Sequence, residues 1–135
     1  MMWLLDTNAW IYYLKNPASA VHANLSKHTP DEILTCAVVK AELLVGALKY
    51  GLPERRLAIV KETLSPFLSL PFDDACAEYY ARVRNELERQ GRSIGPHDLL
   101  IAAICLANRC TLVSSNVDEF KRVAGLVVED WNIPQ

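Results

Sequence analysis

The sequence predicts an α/β fold in which helices cover both faces of a parallel β-sheet. Short strand-like segments alternate with helical segments along the chain, as expected when helices join parallel strands. Two strand-like segments, 2–5 and 110–114, are short apolar runs, which is typical of strands covered on both faces. The length of 135 residues suits one domain, 1–135, and a hydrophobic fraction of 51% is sufficient for a core.

Five segments are predicted as strands. They are MWLL at 2–5, EILTCA at 32–37, FLSLPF at 67–72, CTLVS at 110–114 and GLVVED at 125–130.

Five segments are predicted as helices, and residues at their ends support the prediction. Pro53 and Pro96 stand where a proline is accepted in a first helical turn, and Gly51 and Gly91 follow helix ends. The segments are AWIYYLK at 9–15, VVKAELLVGALKYG at 38–51, LPERRLAIVKETL at 52–64, DDACAEYYARVRNELERQG at 73–91 and PHDLLIAAICLANR at 96–109.

Several protein classes are excluded by composition. No apolar run approaches the roughly 18–20 residues that span a bilayer, and MMWLLD is too short for a signal peptide. We therefore expect a cytoplasmic protein with no membrane contact. The four cysteines show no CxxC pair, which favours reduced and mostly buried thiols over a zinc site. A net charge of −2 does not by itself indicate nucleic-acid binding.

Acidic residues follow or flank the predicted strands. Asp6 ends the first apolar run, and Asp98 lies in the first turn of a helix that is apolar from Leu99 to Ala107. Each also has a simpler interpretation, because Asp is a good N-cap and an acid in a first turn interacts favourably with the helix dipole.

Two further acidic positions lie in comparable places. Glu42 is on a helix beside Val38 and Gly46, although it could simply pair with Lys49. Asp118 and Glu119 follow the fourth predicted strand, although they could simply form an acidic turn.

The acids are more informative as a set than singly. The carboxyl ends of parallel strands meet at one edge of a sheet, where binding sites form. Four carboxylates in proximity repel each other unless a cation is present, and Mg²⁺ binds through few carboxylates and several waters. Such an ion activates water and stabilises a phosphoryl transition state, which points to phosphodiester hydrolysis.

The chain resembles PIN-domain ribonucleases of the VapC type, which are toxins of bacterial toxin–antitoxin systems. The resemblance covers almost the full length. The motifs that carry it are LLDTN at 4–8, AELLVGA at 41–47, GPHDLLIAAICLA at 95–107 and LVSSNVDEFKRVAGLVVEDW at 112–131.

The resemblance implies a three-layer α/β/α fold with a five-stranded parallel sheet and an Mg²⁺-dependent endoribonuclease, with Mn²⁺ as a possible substitute. Asp6 and Asp98 match metal ligands, and Glu42 and Glu119 match the other two catalytic acids. Residues that would line the site are Thr7, Asn8, Ser115, Asn116 and Asp118.

The family's "EF" pairing selects Glu119 over Asp118 as the fourth acid. If Phe120 anchors this turn in the core, the longer Glu119 reaches the cleft, and Asp118 caps the following helix.

The resemblance also implies partners: an RNA substrate, a VapB-type antitoxin and a second copy of the chain. The subgroup with this C-terminal motif cuts initiator tRNA in the anticodon stem-loop. Surplus aromatic residues agree with a homodimer, namely Trp10, Tyr12, Tyr13, Tyr79 and Tyr80.

Two other functions use the same residues. One is a DNA or structure-specific nuclease with the same acids, and the other is a non-catalytic nucleic-acid-binding module that has kept the fold.

Overall fold

The structure, a computed structural model, describes residues 1–134 and contains one five-stranded sheet in which all strand pairs are parallel. The α/β class and each of the five predicted strands are confirmed, although every strand is shorter than predicted. The strands are β1 (Trp3–Leu5), β2 (Ile33–Cys36), β3 (Leu68–Leu70), β4 (Thr111–Val113) and β5 (Val128–Glu129).

Seven α-helices and one short 3₁₀-helix, Pro30–Glu32, connect the strands within residues 1–134. All five predicted helices are present. The helices are α1 (Thr7–Lys15), α2 (Ala20–Leu25), α3 (Ala37–Lys49), α4 (Pro53–Leu64), α5 (Asp74–Arg89), α6 (Pro96–Asn108) and α7 (Val117–Phe120).

Helix α2 was not predicted from the sequence. It has six residues, so its apolar positions are too few to establish a helical period. The hydroxyl of Ser19 accepts a hydrogen bond from the backbone N–H of His22, and Val21 and Leu25 are buried. A cap and two core contacts therefore define this helix.

Strand order determines where a site can form. The order is β3-β2-β1-β4-β5. Strands β2 and β3 lie on one side of β1, and β4 and β5 lie on its other side. Because crossover connections between parallel strands are right-handed, this reversal places the helices before β3 and those between β3 and β4 on opposite faces. The chain thus changes direction between β1 and β4, which is the position of ligand crevices in open α/β sheets.

The core consists of the central strands and helix α6. Leu4, Leu5 and Leu112 are wholly buried, and α6 is buried from Ile101 to Cys105, as its apolar sequence predicts. All four cysteines are buried and none forms a disulfide. In the part of the chain that the structure describes, no helix is long and apolar enough to span a membrane.

The structure corrects the prediction for Trp10. Its indole is wholly buried, with ring centroids 5.2 Å from Phe67 and 5.6 Å from Tyr13. Trp10 is therefore a core residue and cannot stack on RNA or on a second copy of the chain. Tyr12 and Tyr79 remain exposed, by 39% and 41%.

Candidate active site

Asp6 occupies the point where β1 ends and α1 begins. Its backbone N–H donates to the carbonyl of Val113 at 3.0 Å, which extends the β1–β4 pairing by one residue. Its carboxylate caps α1 by accepting from the N–H of Ala9 at 2.9 Å. The simple interpretation of Asp6 as an N-cap is thus correct, and the same residue also lies at the crevice between β1 and β4.

Ser114 supports Asp6 and was missed in the sequence. Leu5 is in register with Val113, so the next residues along the two strands, Asp6 and Ser114, also lie side by side. Ser114 is buried, and its hydroxyl hydrogen-bonds the Asp6 carboxylate. The family resemblance instead implies the neighbouring Ser115 as a residue that lines the site, and Ser115 is exposed. The strand register identifies Ser114 as the serine that lies beside Asp6.

Burial dominates the electrostatics of Asp6. Desolvation raises the pKa of this carboxyl above its usual value, and the hydrogen bonds from Ser114 and Ala9 oppose the shift without cancelling it. The charges of Glu42 and Asp130 raise the pKa further. Asp130 follows β5 and was also missed, because nothing in the sequence shows that β5 lies beside β4.

Glu42 is held by two residues that are distant in the sequence. Its Oε1 accepts from the Thr7 hydroxyl at 2.6 Å, and its Oε2 lies 3.1 Å from Nδ1 of His97. The predicted alternative, a loose pair with Lys49, is therefore wrong. Thr7 therefore contacts one of the four acids, whereas Asn8 is exposed.

Asp98 lies among the other acids. Desolvation and the charges of Glu119, Asp6 and Glu42 raise the pKa of Asp98 to about 6, against a weak opposing effect of His97. Burial disfavours the ionised form of this carboxyl, and the nearby acids disfavour it further, so Asp98 keeps a proton more readily than an exposed carboxyl does.

Glu119 is stabilised as an anion. Its Oε2 accepts from the side-chain amide of Asn116 at 2.6 Å, and its Oε1 accepts from the N–H of Gly95 at 3.0 Å. These bonds, Asn116 first, lower the pKa of Glu119, and the charge of Arg122 adds to the effect. The two carboxyls of Glu119 and Asp98 lie on one side of Gly95, where an added Cβ would be 4.0 Å and 3.8 Å from them.

The predicted anchor at Phe120 is confirmed, since this side chain is wholly buried. The predicted role of Asp118 as a helix cap is wrong. The helix begins at Val117, so Asn116 is at the N-cap position and Asp118 is an exposed residue of the first turn. The structure therefore brings Asp6, Glu42, Asp98 and Glu119 together and leaves Asp118 outside the group.

Comparison with known proteins identifies the family. The model of the PIN domain matches residues 3–126. The chain belongs to the PIN-domain family.

Relatives of this PIN domain are VapC ribonucleases of nearly equal length. The tRNA(fMet)-specific endonuclease VapC of Shigella flexneri is 36% identical over 132 residues, covering 98% of this chain and 99% of the relative. Ribonuclease VapC2 of Rickettsia felis is 35% identical over 133 residues with the same coverage. A chain in the crystal structure of DNA-bound VapBC from Salmonella typhimurium superposes with a TM-score of 0.91 at 32% identity, covering 97% of this chain and 98% of that chain.

The donor set of this PIN domain fits a hard divalent cation. The four acids offer only carboxylate oxygens, and burial together with the charges of Glu119, Asp6 and Glu42 raises the pKa of Asp98. Within residues 1–134, no three His, Cys, Asp or Glu side chains are already arranged as a metal cage. Mg²⁺ does not require one, because it keeps several waters and binds through one or two carboxylates.

Proposed function

We propose that this chain is a metal-dependent endoribonuclease that hydrolyses RNA phosphodiester bonds, and that it is the toxin of a toxin–antitoxin pair. The observation that carries the proposal is the convergence of Asp6, Glu42 and Glu119 on Asp98. None of these four acids forms an ion pair with Lys or Arg in the described residues. The names of the VapC relatives support RNA as the substrate.

The cofactor we propose is Mg²⁺, with Mn²⁺ as a substitute, and Asp6 and Asp98 as its carboxylate ligands. Such an ion supplies an activated water and stabilises charge on the phosphoryl group that is attacked. Asp6 would be a rigid ligand, because it is buried and because hydrogen bonds from Ala9 and Ser114 already orient its carboxylate.

The other acids are held for a different task. Glu42 is oriented from both sides, since each carboxylate oxygen has its own partner in Thr7 or His97. Glu119 stays ionised beside Asp98 because donors surround it. Each can accept a proton or orient a water next to a phosphate without first having to change its conformation.

The substrate and partners follow from the relatives. We propose initiator tRNA, because the Shigella flexneri relative is named as a tRNA(fMet)-specific endonuclease, and a cut in its anticodon stem-loop, because the C-terminal motif resembles that of the VapC subgroup that cuts there. We propose a VapB-type antitoxin, because chains similar to this one were solved in VapBC complexes. A homodimer is also proposed, and light scattering of the free chain measures it directly.

Cleavage of total tRNA tests the function. Incubation with Mg²⁺ or Mn²⁺ should produce new ends within the anticodon stem-loop of initiator tRNA, and EDTA should abolish them. The ends are mapped by sequencing, and a DNA oligonucleotide of the same stem-loop sequence should stay intact.

The outcomes separate the claims. Cuts in other RNAs, with initiator tRNA intact, would contradict the substrate and leave the ribonuclease standing. Cleavage of the DNA oligonucleotide would favour a DNA nuclease, and no metal-dependent cleavage at all would favour a binding module.

A matched pair of variants tests the choice of the fourth acid. Glu119→Gln keeps the shape and the acceptor for Gly95 but removes the charge, so turnover should fall by about 10-fold or more. Asp118→Asn should keep nearly full turnover, because Asp118 is exposed and outside the acid group. Initial rates and melting temperatures are measured on both proteins. The melting temperature should change little in either variant. The opposite pattern of rates would reassign the fourth acid to Asp118.

A further inference from the structure

The side chain of Asn116 does not do what its position predicts. Asn116 stands at the N-cap of α7, where an Asn side chain usually accepts from the first helical turn, yet it makes no such bond. Its amide group instead donates to Oε2 of Glu119 at 2.6 Å. The Asn116 side chain therefore does not cap α7 and contacts an acid of the site instead.

Glu119 also bonds to the start of helix α6. Its second oxygen, Oε1, accepts from the N–H of Gly95, which is the N-cap residue of α6 and lies three positions before Asp98. The carbonyl of Gly95 in turn accepts from the N–H of Leu99 at 2.9 Å, in the first turn. One carboxylate therefore joins the start of α7 to the start of the helix that bears Asp98.

A second bond connects the same two segments. Nη1 of Arg122 donates to the carbonyl of Ser93 at 3.1 Å. Residues 90–95 have no helix or strand of their own, so these two bonds hold a segment that regular structure does not. Two hydrogen bonds thus tie the residues before α6 to α7 and to the turn that follows α7.

The amide is the chemically suitable group at position 116. An amide N–H donates to a carboxylate, whereas a carboxylate at the same place could only repel Glu119. A hydrogen bond to an ionised oxygen is roughly twice as strong as a neutral one. Asn116 can therefore hold Glu119 in one orientation while both oxygens of that residue remain satisfied.

We propose that Asn116 is a positioning residue, which holds the Glu119 carboxylate on the Gly95 amide and thereby sets where Asp98 enters the site. The expected effect of Asn116 on kcat rests on the proposed ribonuclease function. Its expected effect on the Gly95 amide does not.

The structural consequence is measured on the Gly95 amide. The chain has five glycines, so protein labelled with ¹⁵N-glycine gives few, well-separated amide signals. Gly95→Ala identifies the signal of interest, because the φ of −57° at this position suits alanine. In Asn116→Ala this signal should move toward that of a weaker hydrogen bond. In the matched control Asn85→Ala, on the exposed face of α5, it should stay in place.

The kinetic consequence is a change in kcat. Outer residues that orient the ligands of a metal site typically contribute 10–100-fold, so we expect Asn116→Ala to lower kcat by about 10-fold with KM and melting temperature nearly unchanged. Asn85→Ala should match the parent in all three.

A double-mutant cycle tests whether Asn116 acts through Glu119. In the Glu119→Ala background, adding Asn116→Ala should neither move the Gly95 signal nor lower kcat further. A further loss in that background would show that Asn116 contacts metal or RNA itself and would overturn the proposal. An unmoved Gly95 signal in the single variant would also overturn it. If the parent cleaves no RNA, the proposed function fails, and the Gly95 signal still decides the positioning role.

Discussion

Asp98→Asn should abolish RNA cleavage while making the metal-free protein more stable. The variant keeps the shape of the side chain and loses one charged ligand. Residues that only orient metal ligands already contribute 10–100-fold, so we expect a loss of at least about 100-fold in turnover. Initial rates on tRNA at saturating Mg²⁺ measure this effect.

The gain in stability follows from the raised pKa of Asp98. The folded chain holds this proton up to a pH of about 6, whereas the usual value is 3.8, so the folded state binds more protons between these values. Its stability therefore falls as the pH rises through that window, and it stays reduced above it. Asparagine cannot ionise and avoids this loss.

The expected gain in the free energy of unfolding is modest. At about pH 7.5 the free energy of unfolding should rise by roughly 1–2 kcal/mol in the variant, because solvent screens the partly exposed Asp98 and the lost interaction with the helix dipole offsets part of the gain. Near pH 4 the parent and the variant should be almost equally stable. Urea unfolding at the two pH values, without metal, measures the difference.

Asp118→Asn is the matched control, since it removes an exposed acid near the site. It should leave both the rate and the pH dependence of stability close to the parent. Addition of Mg²⁺ should raise the melting temperature of the parent and of this control, but not of Asp98→Asn. A parent rate in Asp98→Asn would show that Asp98 is not a metal ligand.

Trp10→Ala should have the largest effect on stability. The indole is wholly buried against Phe67 and Tyr13, and removing such a side chain typically costs about 3–5 kcal/mol. The cost combines lost burial with the cavity that remains. The midpoint of urea unfolding should fall accordingly, and Trp10→Phe should fall less because the ring is only partly removed.

Tyr12→Ala is its control on the same helix. Tyr12 is 39% exposed, so its removal should change the free energy of unfolding by no more than about 1 kcal/mol. Equal destabilisation by Trp10→Ala and Tyr12→Ala would contradict the assignment of Trp10 to the core. Light scattering on Tyr12→Ala would further show whether this exposed ring contributes to a dimer.

The sequence by itself determined the fold class and the residue types of the site. The alternation of short apolar runs with helical segments was sufficient to predict a parallel sheet. Strands that helices cover on both faces must be apolar on both faces, so they appear in the sequence as continuous apolar runs. Asp6 directly after β1 and Asp98 at the start of the apolar helix α6 were then placed at one edge of that sheet. These inferences depend on local pattern, and local pattern is present in the chain before it folds.

The tertiary structure decided which residues contact those acids. Glu42 meets Thr7 at a separation of 35 residues and His97 at 55, and Glu119 meets Gly95 at 24. Such contacts depend on how helices pack around the sheet, which no local pattern encodes.

Strand register and burial were decided in the same way. A shift of one residue separates Ser114, which bonds Asp6, from the exposed Ser115, and only the pairing of Leu5 with Val113 selects between them. The sequence predicts Trp10 as an aromatic residue available to a dimer, and it is instead buried in the core, where Phe67, far along the chain, packs against it. Asn116 stands at the N-cap of α7, yet its side-chain oxygen accepts no bond from that helix and its amide N–H donates to the Glu119 carboxylate, a contact that only the folded structure reveals.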